Sequence, residues 1–213
     1  MKKHIVSILV LSILFISCKE KAKEEKTETA PKAAIEQVAD ANYTANTETS
    51  VLNWKGFKPT GMHNGTVAIK TGSLKVNEGK LIGGDFVFDM SSITVLDIPA
   101  EEDSNGKLKS HLESKDFFDV ANNPTATFVI TEVTEGEATL VKGDLTIKGI
   151  TKSIEFPASL TTTETGVKLT GATFKIDRTE FNIQYKSQKF FDNLKDKFIN
   201  DEFEISFEVN ASK

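Results

Sequence analysis

The chain has 213 residues, with 26 basic and 31 acidic side chains and a formal net charge of −5 at neutral pH. A mildly acidic chain without a basic cluster is a poor candidate for binding nucleic acid. Its single cysteine, Cys18, excludes a disulfide framework, and the stretch after residue 42 has the length of one domain with one core.

The N-terminus carries the features of an export signal. Lys2 and Lys3 precede an apolar run, Ile5–Ile16, which is followed by Ser17 and Cys18. About a dozen apolar residues are too few to span a bilayer, which needs about 20, but they suit the core of a secretory signal. The ending resembles a bacterial lipobox, although a phenylalanine stands where leucine is usual. We therefore predict a lipoprotein signal peptide over 1–17 and lipidation of Cys18; the alternative is an ordinary signal peptide in which this cysteine is incidental.

Residues 18–42 form a mixed-charge stretch with few bulky apolar side chains. Such a segment cannot bury enough surface to offset its ordering entropy, so it is expected to be a flexible tether. A tether of this length reaches about 25–30 Å. Together with the acylated cysteine, it predicts a lipid-anchored protein of the cell envelope, at the periplasmic face or the outer-membrane surface.

Residues 43–213 alternate between apolar and polar side chains in short runs separated by turn residues. Runs of this kind are typical of half-buried antiparallel strands at the spacing of a sandwich or barrel. The pattern predicts strands near 50–58, 65–70, 72–76, 80–90, 125–133, 138–148, 152–162, 166–177, 179–185 and 202–211.

Two stretches interrupt the alternation. Between residues 99 and 124, Leu108, Leu112 and Phe117 have a rough helical spacing, which predicts one or two short helices packed across a barrel end. Residues 190–198 are predicted to form a short amphipathic turn before the last strand.

Four blocks, taken in order, resemble the YceI-like family. They read WKGFKPTGMHNGTVAIKTGSL (54–74), SHLESKDFFDV with PTATF (110–128), GDLTIKGITKSIEFP (143–157) and FKIDRTEFNIQY (174–185). The resemblance covers about residues 45–211 and implies a lipocalin-like, eight-stranded antiparallel barrel with a long apolar cavity and helices in its loops. The best-described members of the family hold a polyprenyl chain inside the barrel. The Trp-Lys-Gly start and the His-Asn-Gly turn are similar to a branch found in lipoproteins of Bacteroidetes-like bacteria.

The phenylalanine content agrees with an apolar cavity, since 14 of the 15 phenylalanines lie after residue 17. Phenylalanine has no polar group to satisfy, so it suits a ligand without hydrogen-bonding groups along its length. From composition alone, an ordinary packed core is the alternative. The predicted cavity residues are Trp54, Phe86, Phe88, Phe128, Ile130, Leu145, Ile147, Phe156, Phe174, Ile176, Phe203 and Phe207.

Few polar residues are candidates for contacting a ligand. His63, in a turn, and Arg178, an always-charged fork, are the candidates for a head-group contact; a loop hydrogen bond and a structural ion pair are their alternatives. His111 is expected to pack or cap, and Asp116 and Asp119 to cap their turns. Two histidines outside the signal do not suffice for a zinc site, and no catalytic motif is present, so neither a metal nor a cofactor is expected.

These features favour an envelope lipoprotein that binds an isoprenoid quinone or polyprenyl lipid in its barrel, for sequestration or transport, and is not an enzyme. Its expected partners are this apolar ligand and the membrane, through acylated Cys18; a homodimer is left open. The alternative is a packed barrel acting as a structural or protein-interaction module. A hydrolase or isomerase would need an acid–base pair with shifted pKa values inside the cavity, and the residue spacing shows none.

Overall fold

The computed structural model describes residues 41–213, so the predictions of a signal peptide, of lipidated Cys18 and of most of the tether lie outside the described residues. In chain order, the described elements are β1 (Ala41–Ala45), β2 (Val51–Lys58), β3 (Gly61–Asn77), β4 (Lys80–Asp89), α1 (Asp103–Glu113), β5 (Thr125–Thr134), β6 (Thr139–Ile147), β7 (Ile150–Thr162), β8 (Val167–Asp177) and β9 (Glu202–Ser212). Short 3₁₀ turns cover Met90–Ser92, Arg178–Phe181 and Lys195–Lys197.

The strands close into an antiparallel barrel with eight strand positions. Going round the wall, the order is β3, β2, β9, β8, β7, β6, β5 and β4, and β4 pairs back with β3. The short strand β1 lies between the same two neighbours as β2, since it pairs with β3 and with β9. Strands β1 and β2 therefore share one strand position in the barrel. The predicted all-β, eight-stranded antiparallel barrel is confirmed.

Side-chain hydrogen bonds stabilise the turn between β1 and β2. The Asn46 carboxamide oxygen accepts from the N–H groups of Glu48 and Thr49 at 3.0 and 3.1 Å. On β9, the Asn210 carboxamide donates to the Thr49 carbonyl at 2.8 Å, and the main-chain N–H of Asn210 donates to Ser50 Oγ at 3.0 Å. These hydrogen bonds give partners to main-chain groups of the turn between β1 and β2. Strand β1 itself was not predicted, and it begins at Ala41, two residues before the predicted domain boundary.

Two further differences from the predicted elements have local causes. The predicted strands 65–70 and 72–76 are halves of the 17-residue β3, with an irregularity in register between Ile69 and Thr71. The predicted strand 179–185 is wrong, because Asp177 caps a 3₁₀ turn there by accepting from the Thr179 N–H at 2.8 Å.

The barrel is packed differently at its two ends. At the end of the barrel where β3, β5 and β7 finish, Leu74, Val141 and Leu169 fill the interior and are at most 2% exposed. The opposite end, where β4 and β8 finish, is covered by two long connections. We call residues 90–124, which contain α1, the insert, and residues 178–201 the strap. The prediction that a helical segment packs across a barrel end agrees with the insert.

Residues 190–198, predicted as an amphipathic turn, contain only the three-residue 3₁₀ turn, and they belong to the strap. Within residues 41–213, no helix is long and apolar enough to cross a membrane.

Candidate functional site

The insert and the strap roof an apolar cavity of about 160 Å³ inside the barrel. Its wall combines inward-facing residues of the strands with residues of both connections. Among the lining residues, Arg178 and Asn200 of the strap are polar, and the others are aliphatic or aromatic apart from Gly56. A second cavity of about 30 Å³ lies deeper in the barrel. Five side chains border both cavities: Leu52, Phe88, Phe128, Phe156 and Phe207.

All twelve predicted cavity residues lie on the wall of one of these cavities. Phe86 and Ile130 border only the deeper one, and the other ten border the larger one. They share the inward face of their strands because side chains two residues apart lie on the same face of the sheet. Their contact with a ligand stays a prediction.

A cluster of phenylalanine rings lies between the two cavities. Phe156 stacks on Phe174 with centroids 4.4 Å apart and an interplanar angle of 10°. Its other neighbours are Phe128, with centroids 5.4 Å apart, and Phe207, which meets it edge-on at 5.6 Å. Offset and edge-to-face pairs of this kind stabilise one another beyond their burial, so the cluster forms a defined floor for the larger cavity.

Two strand glycines determine where rings of this wall can lie. Gly171 pairs with Phe207 across β8 and β9, and a Cβ atom on this glycine would come within 2.1 Å of the phenylalanine ring. Gly72 has the same relation to Phe86, at 2.5 Å. Because neither glycine has a side chain, each ring lies flat against the wall instead of projecting towards the barrel axis. The glycines therefore preserve open volume inside the barrel.

Polar side chains of α1 bind the main chain of the insert just before the helix. The Asn105 carboxamide donates to the carbonyls of Val95 and Ile98 at 3.1 and 2.7 Å, and Lys109 Nζ donates to the carbonyl of Ile93 at 2.7 Å. These bonds orient α1 so that its Leu112 faces the cavity, together with Phe117 and Phe118 beyond it.

Three rings join the insert to the strap over the mouth of the barrel. Tyr185 of the strap meets His111 and Phe117 of the insert, with centroids 4.8 and 5.7 Å apart. A hydrogen bond of 3.0 Å joins His111 Nε2 to Asp116, as expected for a packing residue beside a polar turn. Asp119 accepts from the Asn122 carboxamide and thus stabilises its own turn. We call Tyr185, His111 and Phe117 the aromatic clasp.

Arg178 is 4% exposed and anchors the strap. Its guanidinium donates to the carbonyls of Ile183, Ile199 and Asn200 at 2.7, 2.9 and 3.0 Å, and it lies 3.5 Å from the Asp201 carboxylate. Burial lowers the pKa of Arg178, while the negative charges of Asp201 and Asp177 act in the opposite direction. The residue also borders the larger cavity. It forms the ion pair that was its structural alternative, and its contact with a ligand head group stays a prediction.

His63 has a different environment from Arg178 and does not border either cavity. Its Nδ1 is 2.7 Å from Asp97, and the Asn64 N–H donates to the same carboxylate at 2.9 Å. Burial alone would raise the pKa of Asp97, but the hydrogen bonds from Asn64 and His63 outweigh it and lower the pKa. Asp97 therefore ties the start of the insert to β3. The structure does not bring the two predicted head-group residues together.

Several lining residues were not predicted, and they are of two kinds. Leu52, Ile154 and Ile205 lie on strands, where a complete application of the alternation would have found them. Val67 and Ala126 are further strand residues of this kind. Those of the second kind, among them Ile183 and Ile199, lie in the connections, where no strand alternation indicates which side chain faces inward. Among the described residues, no group of three or more histidine, cysteine, aspartate or glutamate side chains could hold a metal ion.

Comparison with known proteins places this barrel among related sequences. The model of the YceI-like domain matches residues 43–211. A UPF0312 protein of Pseudomonas aeruginosa is 33% identical over 84 residues, and one of Photorhabdus laumondii is 38% identical over 90 residues. Each match covers 36% of this chain and 44% of the relative, so the chain spans less than half the length of the curated relatives it matches.

Solved structures show the same fold. BcnA of Burkholderia cenocepacia superposes with a TM-score of 0.61 at 19% identity, covering 79% of this chain and 99% of its own. A polyisoprenoid binding domain from Saccharophagus degradans, implicated in plant cell wall breakdown, superposes with a TM-score of 0.56 at 15% identity, covering 80% and 97%. At these identities the likeness establishes a shared barrel.

Proposed function

This chain belongs to the YceI-like family, and we propose that it binds a long apolar ligand, an isoprenoid quinone or a polyprenyl lipid, inside its barrel. The observation that carries the proposal is the roofed cavity of about 160 Å³, whose wall is formed almost completely by aliphatic and aromatic side chains. The solved polyisoprenoid binding domain with the same fold supports this ligand class.

The chemistry of the wall matches a hydrocarbon chain, such as that of an isoprenoid, better than a peptide. A polar group placed against such a wall would lose its hydrogen bonds with water without gaining new ones, which costs several kcal/mol. A branched hydrocarbon loses nothing comparable and gains contact with the phenylalanine rings. An apolar cavity of about 150 Å³ accepts a molecule the size of benzene. The larger cavity thus fits a quinone ring or one isoprene unit, and rotation of Phe156 and Phe207 would join it to the deeper cavity for a longer chain.

The polar end of the ligand is proposed to lie near the strap. Arg178 and Asn200 are the polar side chains of the wall, and both lie at the roofed end. A carbonyl or hydroxyl of the ligand could accept a hydrogen bond there while the hydrocarbon points into the barrel. His63 would reach a head group only outside the cavity, so Arg178 is the stronger of the two candidates.

We further propose that acylated Cys18 anchors the protein in the cell envelope and that the barrel sequesters or transports its ligand there. Binding rather than catalysis is favoured because the ionisable group of the wall, Arg178, already donates to three main-chain carbonyls. It is therefore poorly suited to exchanging protons with a substrate.

Native mass spectrometry of the purified full chain tests the proposal. We expect a retained lipid in the wild type and its loss in Ala126→Phe, because Ala126 of β5 faces the larger cavity. Val129→Phe is the matched control, since Val129 lies on the outer face of the same strand and is 46% exposed. If the wild type retains no lipid and its barrel interior proves filled by its own side chains, the packed interaction module is the correct interpretation.

A further inference from the structure

Two adjacent phenylalanines are exposed at the tip of the strap. Phe190 and Phe191 are each 48% exposed. Their N–H groups donate to the carbonyl of Ser187 at 3.2 and 3.0 Å, and Ser187 itself is completely buried. The turn that presents the two rings is therefore an ordered part of the fold. Bulky apolar groups held in water in this way are typical of an interaction site.

This tip lies directly outside the mouth of the cavity. The Ile199 N–H donates to the Lys186 carbonyl at 2.9 Å, which closes the tip of the strap into a loop, and Ile199 at the base of this loop lines the cavity. The strap also contacts the β2–β3 hairpin, because the Asn200 N–H donates to the Phe57 carbonyl at 2.9 Å. Met62 of that hairpin is 42% exposed as well. We call the hairpin residues 55–62 and the strap residues 186–197 the mouth rim.

The mouth rim is basic although the chain as a whole is acidic, with a net charge of −5. The strap part carries Lys186, Lys189, Lys195 and Lys197 against two aspartates, and the hairpin part carries Lys55 and Lys58 without an acidic residue. Residues 97–103 of the insert carry four acidic side chains. The first of them, Asp97, binds His63 and Asn64 of β3, next to the hairpin part of the rim. Lys189 forms an ion pair with Asp177, and Lys55 lies opposite Glu204 of β9. The positive charge of the strap part therefore comes mainly from Lys186, Lys195 and Lys197.

We propose that the mouth rim docks onto an anionic phospholipid surface. Aromatic rings surrounded by lysines are the combination that interfacial segments use, with rings among the upper acyl chains and ammonium groups on lipid phosphates. The strap part of the rim would face such a surface, because it combines the exposed rings with lysines, whereas residues 97–103 are acidic. Docking in this orientation sets the strap between the bilayer and the cavity, and it gives an apolar ligand a path that avoids water.

The experiment uses the full chain and vesicles of phosphatidylcholine with about a third phosphatidylglycerol, carrying brominated acyl chains as quenchers. Two variants report on opposite ends of the barrel: Phe190→Trp on the mouth rim, and Ile82→Trp on β4, where Ile82 is 47% exposed. The wild type, with its single tryptophan, supplies the background emission. We expect a blue shift and strong quenching for Phe190→Trp, and neither for Ile82→Trp. Any attachment through the N-terminal residues affects both variants alike, so equal quenching would overturn the proposal.

Charge dependence gives the second part of the test. Adding Lys195→Gln and Lys197→Gln to Phe190→Trp should reduce its quenching, as should 0.5 M salt or neutral vesicles, whereas Lys75→Gln with Lys80→Gln should not. A monomer–dimer equilibrium in sedimentation that is abolished by Phe190→Ser with Phe191→Ser would make the rim an interface between copies and also overturn the proposal. Lipid retention measured on the same variants by native mass spectrometry is a separate readout, so failure of ligand binding and failure of docking are distinguishable.

Discussion

The rings of His111 and Tyr185 meet edge to face over the mouth of the barrel, with their centroids 4.8 Å apart and an interplanar angle of 84°. One ring belongs to helix α1 of the insert and the other to the strap, so this contact joins two connections that are separated along the chain. Any long ligand that enters between them must separate these rings. If the proposed ligand enters here, opening of the aromatic clasp would limit how fast that ligand exchanges.

Tyr185→Ala removes the strap's ring from the clasp. An aromatic pair contributes about 0.5–1.5 kcal/mol, which corresponds to about a 2- to 10-fold faster ligand exchange if the clasp opens in the rate-limiting step. Stopped-flow release of a bound apolar dye, N-phenylnaphthylamine, measures the rate. Tyr185→Phe keeps the ring and serves as the control. An unchanged release rate in Tyr185→Ala would show that the ligand leaves by another route.

Gly171→Ala should displace the Phe207 ring into the cavity. The new Cβ atom would lie 2.1 Å from a ring carbon, and the nearest atoms all belong to that side chain. We expect less retained lipid and a loss of about 1–3 kcal/mol in the free energy of unfolding, as for other overpacked cores. Native mass spectrometry and urea unfolding measure the two effects.

Two further variants test whether the displaced Phe207 ring causes the loss of lipid: a control and a rescue. Gly83→Ala is the matched strand-glycine control, because its Cβ atom would meet nothing closer than the Lys75 side chain at 3.7 Å. Phe207→Leu combined with Gly171→Ala should recover lipid binding. If the double variant is no better than the single one, the displaced ring is not the cause.

Arg178→Gln should detach the strap. The change removes the donor of three main-chain carbonyls and the cationic neighbour of the Asp201 carboxylate, and removing one partner of such a buried arrangement costs about 3–5 kcal/mol. Lys152→Gln, which breaks an exposed ion pair with Glu180, should cost at most about 1 kcal/mol. Urea unfolding compares the two, and hydrogen exchange should show faster exchange across residues 182–200 in Arg178→Gln alone.

Asp97 should make stability depend on pH in the acidic range. Its pKa in the folded state is lowered, so its contribution is complete above the unfolded value of about 3.9 and is lost as the pH falls through the folded pKa. At pH 7, Asp97→Asn is expected to be less stable than the wild type, and this difference should shrink below about pH 4. Urea unfolding at pH 7, 5 and 3 measures it. A gap that stays constant across this range would contradict a role for the carboxylate charge.

The strands of this barrel could be predicted because alternation is a local property. Phe128 and Ile130, for example, share a face whatever the rest of the chain does, and both line the interior. The segment 179–185 misled the same reasoning, since Phe181, Ile183 and Tyr185 alternate like a strand. There the Asp177 carboxylate, accepting from the Thr179 N–H and hydroxyl, stabilises a tight turn instead.

The amino-acid sequence alone determined the class of fold, the faces of the strands and the apolar character of the interior, since these depend on residue type and on a period of two. Only the tertiary structure decided that Gly171 leaves space for Phe207, that Arg178 meets the carbonyls of Ile183 and Ile199, and that His111 meets Tyr185. These contacts form between segments without a sequence period, brought together by closure of the barrel. Whether the interior is a packed core or a cavity depends on such contacts, and composition could not settle it.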